Sequence, residues 1–265
     1  MRLSGRSERI KRLRKLVSKA SFRLSERAFV LEGPNCLEAA LRSGIDLEGV
    51  YYSCDLNQSH FPLITDSFER GISVFEVESG LLEAILDLSN AQPVVAVAPM
   101  ETRRTPSSST TLPILVLDEI RDPGNAGTII RSAHASGIRE IVFLPGCVDP
   151  YNPKVVRSSV GSIFFVDVTV AVDKDDTLAE ISNRGYEIYG TSLGSQLSYV
   201  DAQLSANVAI VIGNEAFGIT KEVEDRCDKM VRIPTAPSLE SLNASMAATL
   251  LLFESARQRG FVGLI

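Results

Sequence analysis

The sequence predicts an α/β protein in two parts: a small mixed α/β unit, then a larger unit built on a parallel sheet with helices on both faces. Beyond residue 113, short and fully apolar runs alternate with helical patterns, as expected of strands covered on both sides. Before them, PMETRRTPSSSTTLP at 99–113 has no periodicity and is rich in Ser, Thr and Pro, which marks a linker. A chain of 265 residues with 45% hydrophobic content is long enough for two cores. The expected division is 1–98, a linker at 99–112, and 113–265.

In chain order, the first part opens on a basic helix at about 7–19, where Ile10, Leu13, Leu16 and Val17 form an apolar stripe at helical spacing. The segment AFVLEGPNCLEAALRSG follows, with a helix at about 35–42 that Gly44 stops. A strand is expected at 50–53, and apolar runs lie at 72–77 and 93–98. The second part reads ILVLDEI, GTIIRSAHASGI, EIVFLP, NPKVVRSSVGSI, FFVDVTV, DTLAEISNRG, YEIYGTS, NVAIVIG, TKEVEDRCD, KMVRIP and SMAATLLLFESARQR, apolar strands alternating with helical patterns. Ordinary connection rules make this an unknotted, doubly wound sheet.

A net charge of −6 argues against a nucleic-acid partner until its distribution is considered. Residues 1–30 carry Arg2, Arg6, Arg9, Lys11, Arg12, Arg14, Lys15, Lys19, Arg23 and Arg27 against Glu8 and Glu26, a local +8 that leaves −14 elsewhere. Such a cluster neutralises several phosphates at once, and binding through it weakens steeply with salt. The same segment also fits a solvated amphipathic helix. Cys36, Cys54, Cys147 and Cys227 lack CxxC spacing and are accompanied by only His60 and His134, so reduced thiols and no metal site are expected. No run nears the roughly 18 apolar residues of a membrane span. The basic amino terminus lacks the apolar centre of a signal peptide, so the expected location is the cytoplasm, without membrane association.

Three segments of the second part carry chemistry. LVLDEIRDPGNAGTIIR at 115–131 runs from a strand through a turn at Asp122, Pro123, Gly124, Asn125 and Gly127 into an arginine-bearing helix. Glycine there permits close backbone approach, and the helix start offers N–H groups to an anion. Alone, the segment also fits a plain strand-to-helix connection, and it lacks GxGxxG spacing. VAIVIGNEAFG at 208–218 puts Gly213, Asn214 and Glu215 at the carboxyl edge of a strand, where ligands bind in open α/β sheets. VRIPTAPSLESLNASMAATLLLFE at 231–254 leads through Ser241, Leu242 and Asn243 into a strongly apolar helix.

In this order and spacing the three segments resemble the signature motifs of the SpoU family of S-adenosylmethionine-dependent RNA ribose 2′-O-methyltransferases, within the SPOUT class. The resemblance implies a feature that composition does not: a Rossmann-like sheet whose carboxy-terminal segment is threaded as a trefoil knot, in a homodimer formed through this domain. It implies S-adenosylmethionine as cofactor, no metal, and RNA as substrate, with 23S ribosomal RNA favoured. Carried over position by position, Asn125, Arg131, Glu215, Ser241 and Asn243 are the expected catalytic set. Gly213, Ile233 and Leu242 are the expected cofactor contacts, largely through backbone groups, with Asn214 beside them and Thr191 and Leu193 lining the adenine side.

The first part looks like the ribosomal-protein-like domain that precedes many SpoU catalytic domains. That makes Arg12, Arg14, Lys15 and Arg23 expected RNA contacts, and Arg157, in DPYNPKVVRSSVGSIF at 149–164, a further one. The chain departs from the family pattern in SLNASMAA, where a valine more often follows the asparagine, and in PTAPSLE, where a glycine is often found.

A guanidinium donates hydrogen bonds and does not accept them. Arg131 is therefore expected to grip a phosphate next to the target ribose, fixing the 2′-oxygen and stabilising charge as it develops. Phosphate-assisted loss of its own proton is the competing route. His134, three residues on, shares the helix face, but the family motif does not require a histidine there. The alternatives are a tRNA ribose methyltransferase, a noncatalytic RNA-binding or ribosome-assembly factor of the same fold, and a nucleotide- or NAD-dependent enzyme, which the missing fingerprint disfavours.

Overall fold

A computed structural model of the chain describes residues 2–86, 93–100, 102–103, 112–262 and 264. The chain forms two compact units, Met1–Glu101 with Tyr151–Phe164, and Thr102–Pro150 with Phe165–Ile265.

The first unit holds a five-stranded mixed sheet of β1 (Arg2–Leu3), β2 (Ala28–Glu32), β3 (Gly49–Ser53), β4 (Val74–Val77) and β5 (Val94–Pro99), in the order β1-β4-β3-β5-β2. Its helices are α1 (Glu8–Ser18), α2 (Ala20–Glu26), α3 (Pro34–Ser43), α4 (Phe61–Glu69) and α5 (Leu81–Leu86). The expected stripe on α1 is real: Ile10, Leu13 and Leu16 are fully buried in a cluster with Val30, Tyr51 and Val97. Each such side chain stabilises the unit by about 1.5–3 kcal/mol. Gly44 ends α3 in the left-handed conformation, as its position predicts. The sequence pattern does not reveal α2. The basic helix stops at Lys19, whose extended backbone breaks the run, and restarts at Ala20.

The second unit is a seven-stranded sheet of β6 (Thr102–Arg103), β7 (Ile114–Leu117), β8 (Glu140–Phe143), β9 (Asp167–Val170), β10 (Glu187–Thr191), β11 (Val208–Ile212) and β12 (Lys229–Val231), ordered β12-β10-β11-β7-β8-β9-β6. Every pairing in it is parallel. With it come α6 (Pro123–Ala135), α8 (Lys174–Asn183), α9 (Lys221–Glu224) and α10 (Ala244–Gln258), while α7 (Pro153–Ser158) belongs to the first unit. β7 and β11 are buried along their whole length, which accounts for their uninterrupted apolar sequence. β7 is flanked by β8, next in the chain, and by β11, which comes much later. Strand order reverses at this pair, and such a switch point opens a crevice at the carboxyl ends of the strands.

Two boundaries differ from the sequence expectation. Within the expected linker, Thr102–Arg103 pair with Val168 and Thr169 as β6, and residues 104–111 lie outside the described residues. The segment Tyr151–Phe164 sits between β8 and β9 in sequence yet packs in the first unit. The reason is local: Phe29 on β2 meets Tyr151 and Phe164 with ring centroids 4.8 and 6.1 Å apart, and Arg157 bridges Glu32 at 3.0 Å.

Candidate functional site

The two strands at the switch point end side by side. Leu117 pairs with Ile212, and one residue on, the Asp118 N–H donates to the Ile212 carbonyl at 2.9 Å. The chain leaving β7 enters α6, and the chain leaving β11 turns through 213–218, so their polar side chains converge. The Asn125 Nδ2 donates to the Glu215 carboxylate, and the Asn243 Nδ2 donates to the Asn125 Oδ1 at 2.9 Å. A carboxylate only accepts, so the Asn125 amide must face Glu215 with its NH₂ and is left to accept from Asn243. Asn243 is fixed in turn as the cap of α10, its Oδ1 accepting from Ser245 N at 2.9 Å and Ser245 Oγ at 2.6 Å. One chain of hydrogen bonds thus joins three segments that the sequence keeps far apart.

Beside this chain lies a cavity of about 580 Å³ at the carboxyl ends of β10, β11 and β12. All six residues expected to contact the cofactor, Thr191, Leu193, Gly213, Asn214, Ile233 and Leu242, line it, together with Glu215 and Ser241. Its volume is in the range of small-molecule sites. Apolar walls from Leu193, Met230, Ile233 and Leu242 stand beside the carboxylates of Glu215, Glu224 and Glu240, against the single cation Arg232. This donor set fits a nucleoside carrying a positive sulfonium, and it fits a phosphate-rich dinucleotide poorly.

Local packing accounts for several of the expected features. A Cβ added to Gly213 would lie 2.2 Å from the Gly218 carbonyl carbon and 2.3 Å from the Ile219 nitrogen. Glycine is required there because the 213–218 loop folds back on itself, whether or not a ligand also approaches its backbone. The 122–127 segment is the first turn of α6 itself. Asp122 caps it, accepting from the Asn125 N–H at 2.8 Å, so the chain's own carboxylate occupies the position proposed for an anion. Arg131 is exposed on α6, six residues or about 9 Å along the axis from Asn125. Among the described residues it has no carboxylate partner. The His134 ring stacks on Phe165 at 4.8 Å and 6°, which gives it a packing role.

The basic residues of the first unit divide sharply. Arg23 is buried and donates to the carbonyls of Leu16 at 2.7 Å and Val17 at 3.2 Å, capping the end of α1. Arg12 bridges Glu26 and Glu48, both at 2.7 Å, and Arg157 is held by Glu32. Arg23 is turned inward, contrary to the expectation that it presents charge to RNA, whereas Arg12 and Arg157 are ion-paired with partly exposed side chains. Arg14 and Lys15 are exposed, Arg14 touching the Gly5 carbonyl at 3.2 Å and Lys15 lying over the Phe22 ring at 5.4 Å.

A brace beneath the site has almost no signature in the sequence. Asp118 is fully buried, accepts the Thr220 N–H at 2.6 Å, and pairs with Lys174 Nζ at 2.8 Å. Lys174 also reaches Thr220 Oγ1 at 3.2 Å and Glu119 Oε1 at 3.7 Å. Burial disfavours the Lys174 charge, but its hydrogen bond to Asp118 and the charges of Asp118 and Glu119 outweigh that, and its pKa rises. Glu119, at φ +57°, turns its carbonyl to the Asn214 Nδ2 at 3.1 Å, and Asn214 Oδ1 accepts from the Ala216 N–H at 2.9 Å. The loop that carries Glu215 is tied down from both ends. The one sequence signal is an acidic residue directly after the fully apolar run ILVL. Burial pushes the Cys147 and Cys227 thiols up to about 12 and the Cys36 thiol up to about 11, so none of these is a nucleophile at neutral pH. Among the described residues no group of three or more His, Cys, Asp or Glu is placed to hold a metal ion, and no helix is long and apolar enough to cross a membrane.

Residues 113–253 match the SpoU rRNA methylase family, and residues 7–96 match the MRM3-like substrate binding domain. A 23S rRNA (guanosine(2553)-2′-O)-methyltransferase, RlmP, of Bacillus subtilis is 28% identical over 94% of this chain and 96% of its own length. The AdoMet-bound rRNA methyltransferase of Sinorhizobium meliloti superimposes with a TM-score of 0.83 at 28% identity, over 97% of each chain. The SpoU methyltransferase AviRb of Streptomyces viridochromogenes, solved with AdoMet, superimposes with a TM-score of 0.84 at 27% identity, over 96% of this chain and all of its own.

Proposed function

Because the chain belongs to the SpoU rRNA methylase family, we propose that it methylates a ribose 2′-hydroxyl of 23S ribosomal RNA, with S-adenosylmethionine as methyl donor. The observation that carries this reading is the hydrogen-bonded chain from Glu215 through Asn125 to Asn243, which assembles all three motifs at one edge of the cavity. When bound, S-adenosylmethionine supplies a methyl group already activated by its sulfonium. What this chain must supply is position and charge.

The cavity residues hold the donor, with Glu215 at the boundary between that cavity and the motif chain. Asn125, Ser241 and Asn243 orient the ribose with short, preorganised polar groups. Arg131, exposed and without a carboxylate partner among the described residues, grips the phosphate next to the target ribose. It stabilises negative charge on the 2′-oxygen as the hydroxyl proton passes to solvent water and the oxygen takes the methyl group. The first unit recruits RNA through the exposed Arg14 and Lys15, and the reaction takes place in the cytoplasm. A noncatalytic factor would have no need for Asn125, Glu215 and Asn243 to interlock, and this contact favours the enzyme.

Two features of the family belong to the same reading. The loop 192–207 runs beside the extension of β12, with Tyr199 N–H to the Arg232 carbonyl and Arg232 N–H to the Leu197 carbonyl, both at 2.9 Å. It is also tied to α10 through Ser255 Oγ to the Leu204 carbonyl at 2.7 Å and Gln258 Nε2 to the Ala202 carbonyl at 2.8 Å. Those ties support a trefoil knot in which the segment after β12 passes through this loop. Met246, Leu250 and Phe253 lie exposed along one face of α10 at spacings of four and three, which supports a homodimer through this helix. Sedimentation of Phe253→Lys checks it: the variant is expected as a monomer, and an unchanged mass would sink the dimer through α10.

Mapping of 2′-O-methylation across total RNA from matched strains with and without the gene tests the function. One missing modification in 23S RNA is the expected result, a missing one in transfer RNA favours the tRNA alternative, and no difference removes the reading.

A further inference from the structure

Phe217 is the most exposed large apolar side chain among the described residues, at 87% of its full accessibility. An exposed aromatic ring on a floppy loop tip would call for no explanation, but this one is mounted on a braced turn. Asn214 and Gly218 exchange backbone hydrogen bonds at 2.9 and 2.8 Å, and the Asn214 Oδ1 accepts from the Ala216 and Phe217 N–H groups at 2.9 and 3.4 Å. Gly218 takes φ +71°, the left-handed conformation that closes the turn. Beneath it, Asn214 is anchored to the Glu119 carbonyl. The turn therefore holds Phe217 out in water at the rim of the cavity, a position that costs free energy.

Phe217 stands two residues after Glu215, the carboxylate tied to Asn125. Two residues span at most about 7 Å of chain. In a ribonucleotide the base is joined at the sugar carbon adjacent to the one that bears the 2′-hydroxyl. A ribose seated against Glu215, Asn125 and Asn243 thus carries its base within reach of the ring. The ring has no donor or acceptor, so it offers a stacking face and cannot read a Watson–Crick edge.

We propose that Phe217 is the platform on which the base of the target nucleotide stacks, so that the acceptor nucleotide is taken unpaired, from a loop or by extrusion from a helix. This rests on the RNA 2′-O-methylation reading. The ring's other possible partners, the adenine of the cofactor and a second copy of the chain, are separated from the base by the test.

The test uses the full-length protein, 23S ribosomal RNA from cells lacking the gene, and S-adenosylhomocysteine. Phe217→Ala is expected to raise the KM for RNA about 5- to 150-fold, the effect of about 1–3 kcal/mol when a stacked base loses its aromatic partner. Its affinity for S-adenosylhomocysteine should stay within twofold. Phe217→Trp and Phe217→Tyr should retain the wild-type KM, whereas Phe217→Leu, apolar but unable to stack, should behave like Phe217→Ala. Because the chain contains no tryptophan, Phe217→Trp also places a single fluorophore at the rim, and its emission should be quenched by RNA and not by S-adenosylhomocysteine alone.

The proposal is overturned if Phe217→Ala or Phe217→Leu keeps the wild-type KM, or if Phe217→Ala loses cofactor affinity. It is also overturned if emission of the Phe217→Trp protein responds to S-adenosylhomocysteine alone, or to protein concentration without ligand. Absence of ribose methylation by the wild-type protein, with cofactor still bound, would remove the underlying reading, an outcome distinct from all of these.

Discussion

Each unit divides its cations into matched and open ones, with Arg14 and Lys15 exposed in the first and Arg131 in the second. In the first, Arg12, Arg23 and Arg157 are each matched internally, to two carboxylates, to helix carbonyls and to Glu32. In the second, Lys174 is sunk between Asp118 and Glu119, while Arg131 lies in the open without a carboxylate among the described residues. A cation whose hydrogen bonds and charge are met by its own chain is scaffolding, and removing it costs stability. One left unmatched is free to meet an anionic ligand, and removing it is expected to cost rate. The contrast is testable because each class of residue fails in a different assay.

The largest effect belongs to Arg131. Arg131→Ala should lower single-turnover methylation about 100- to 1,000-fold, the usual cost of removing one preorganised electrostatic group, with S-adenosylhomocysteine affinity and thermal midpoint nearly unchanged. Arg131→Lys should be severely impaired as well, since an ammonium lacks the planar fork that holds a phosphate in one orientation. His134→Ala should retain most activity because its ring packs on Phe165. Near-normal turnover by Arg131→Ala together with loss in His134→Ala would reverse these roles.

Lys174 should show the opposite pattern. Lys174→Met leaves Asp118 buried and uncompensated, a loss that typically destabilises by about 3 kcal/mol, read as a lower denaturation midpoint. Because Asp118 and Asn214 together hold the loop of Glu215, kcat should also fall. The double variant Lys174→Met with Asp118→Asn should recover part of the stability, since a neutral amide tolerates burial better than an unpaired carboxylate. The pH sign is definite. A lysine whose pKa is raised on folding contributes stability that is fully present below its ordinary 10.5 and is lost as pH rises through the folded value. Wild type and Lys174→Met should therefore converge in stability only in strong alkali, and convergence near pH 8 would contradict the brace.

How much of this is legible in the sequence follows the same division. β7 and β11 announce themselves as uninterrupted apolar runs, and the three motifs that follow the strands converge at one cavity, because parallel strands deliver their carboxyl ends to one edge. The cations of the first unit mislead for a physical reason. Charge density along the chain does not reveal that Arg12 finds Glu48 36 residues away, or that Arg23 turns inward onto α1. Lys174 is invisible, since nothing in KDDTLAEISN distinguishes a buried lysine from a solvated one. The packing of Tyr151–Phe164 with the first unit depends on Phe29 and Glu32, far upstream, and no local pattern encodes it.

A smaller effect separates the exposed cations of α1 from the committed one. Arg14→Glu with Lys15→Glu should weaken RNA binding and flatten its dependence on salt, by about 0.7–0.9 in log–log slope for each phosphate that is no longer neutralised. Arg12→Gln removes a guanidinium from the same turn of the same helix, so a nonspecific loss of positive field would flatten the slope there too. If Arg12 is held by Glu26 and Glu48, however, the change frees two carboxylates and leaves no phosphate unmet. The expected result for Arg12→Gln is a stability loss of about 1 kcal/mol or less, as for other partly exposed ion pairs. Some RNA affinity should be lost through the two unscreened carboxylates, and the salt slope should match wild type. An equal flattening of the slope in both variants would mean that RNA draws Arg12 away from its partners, and the distinction between matched and open cations would fail at this helix.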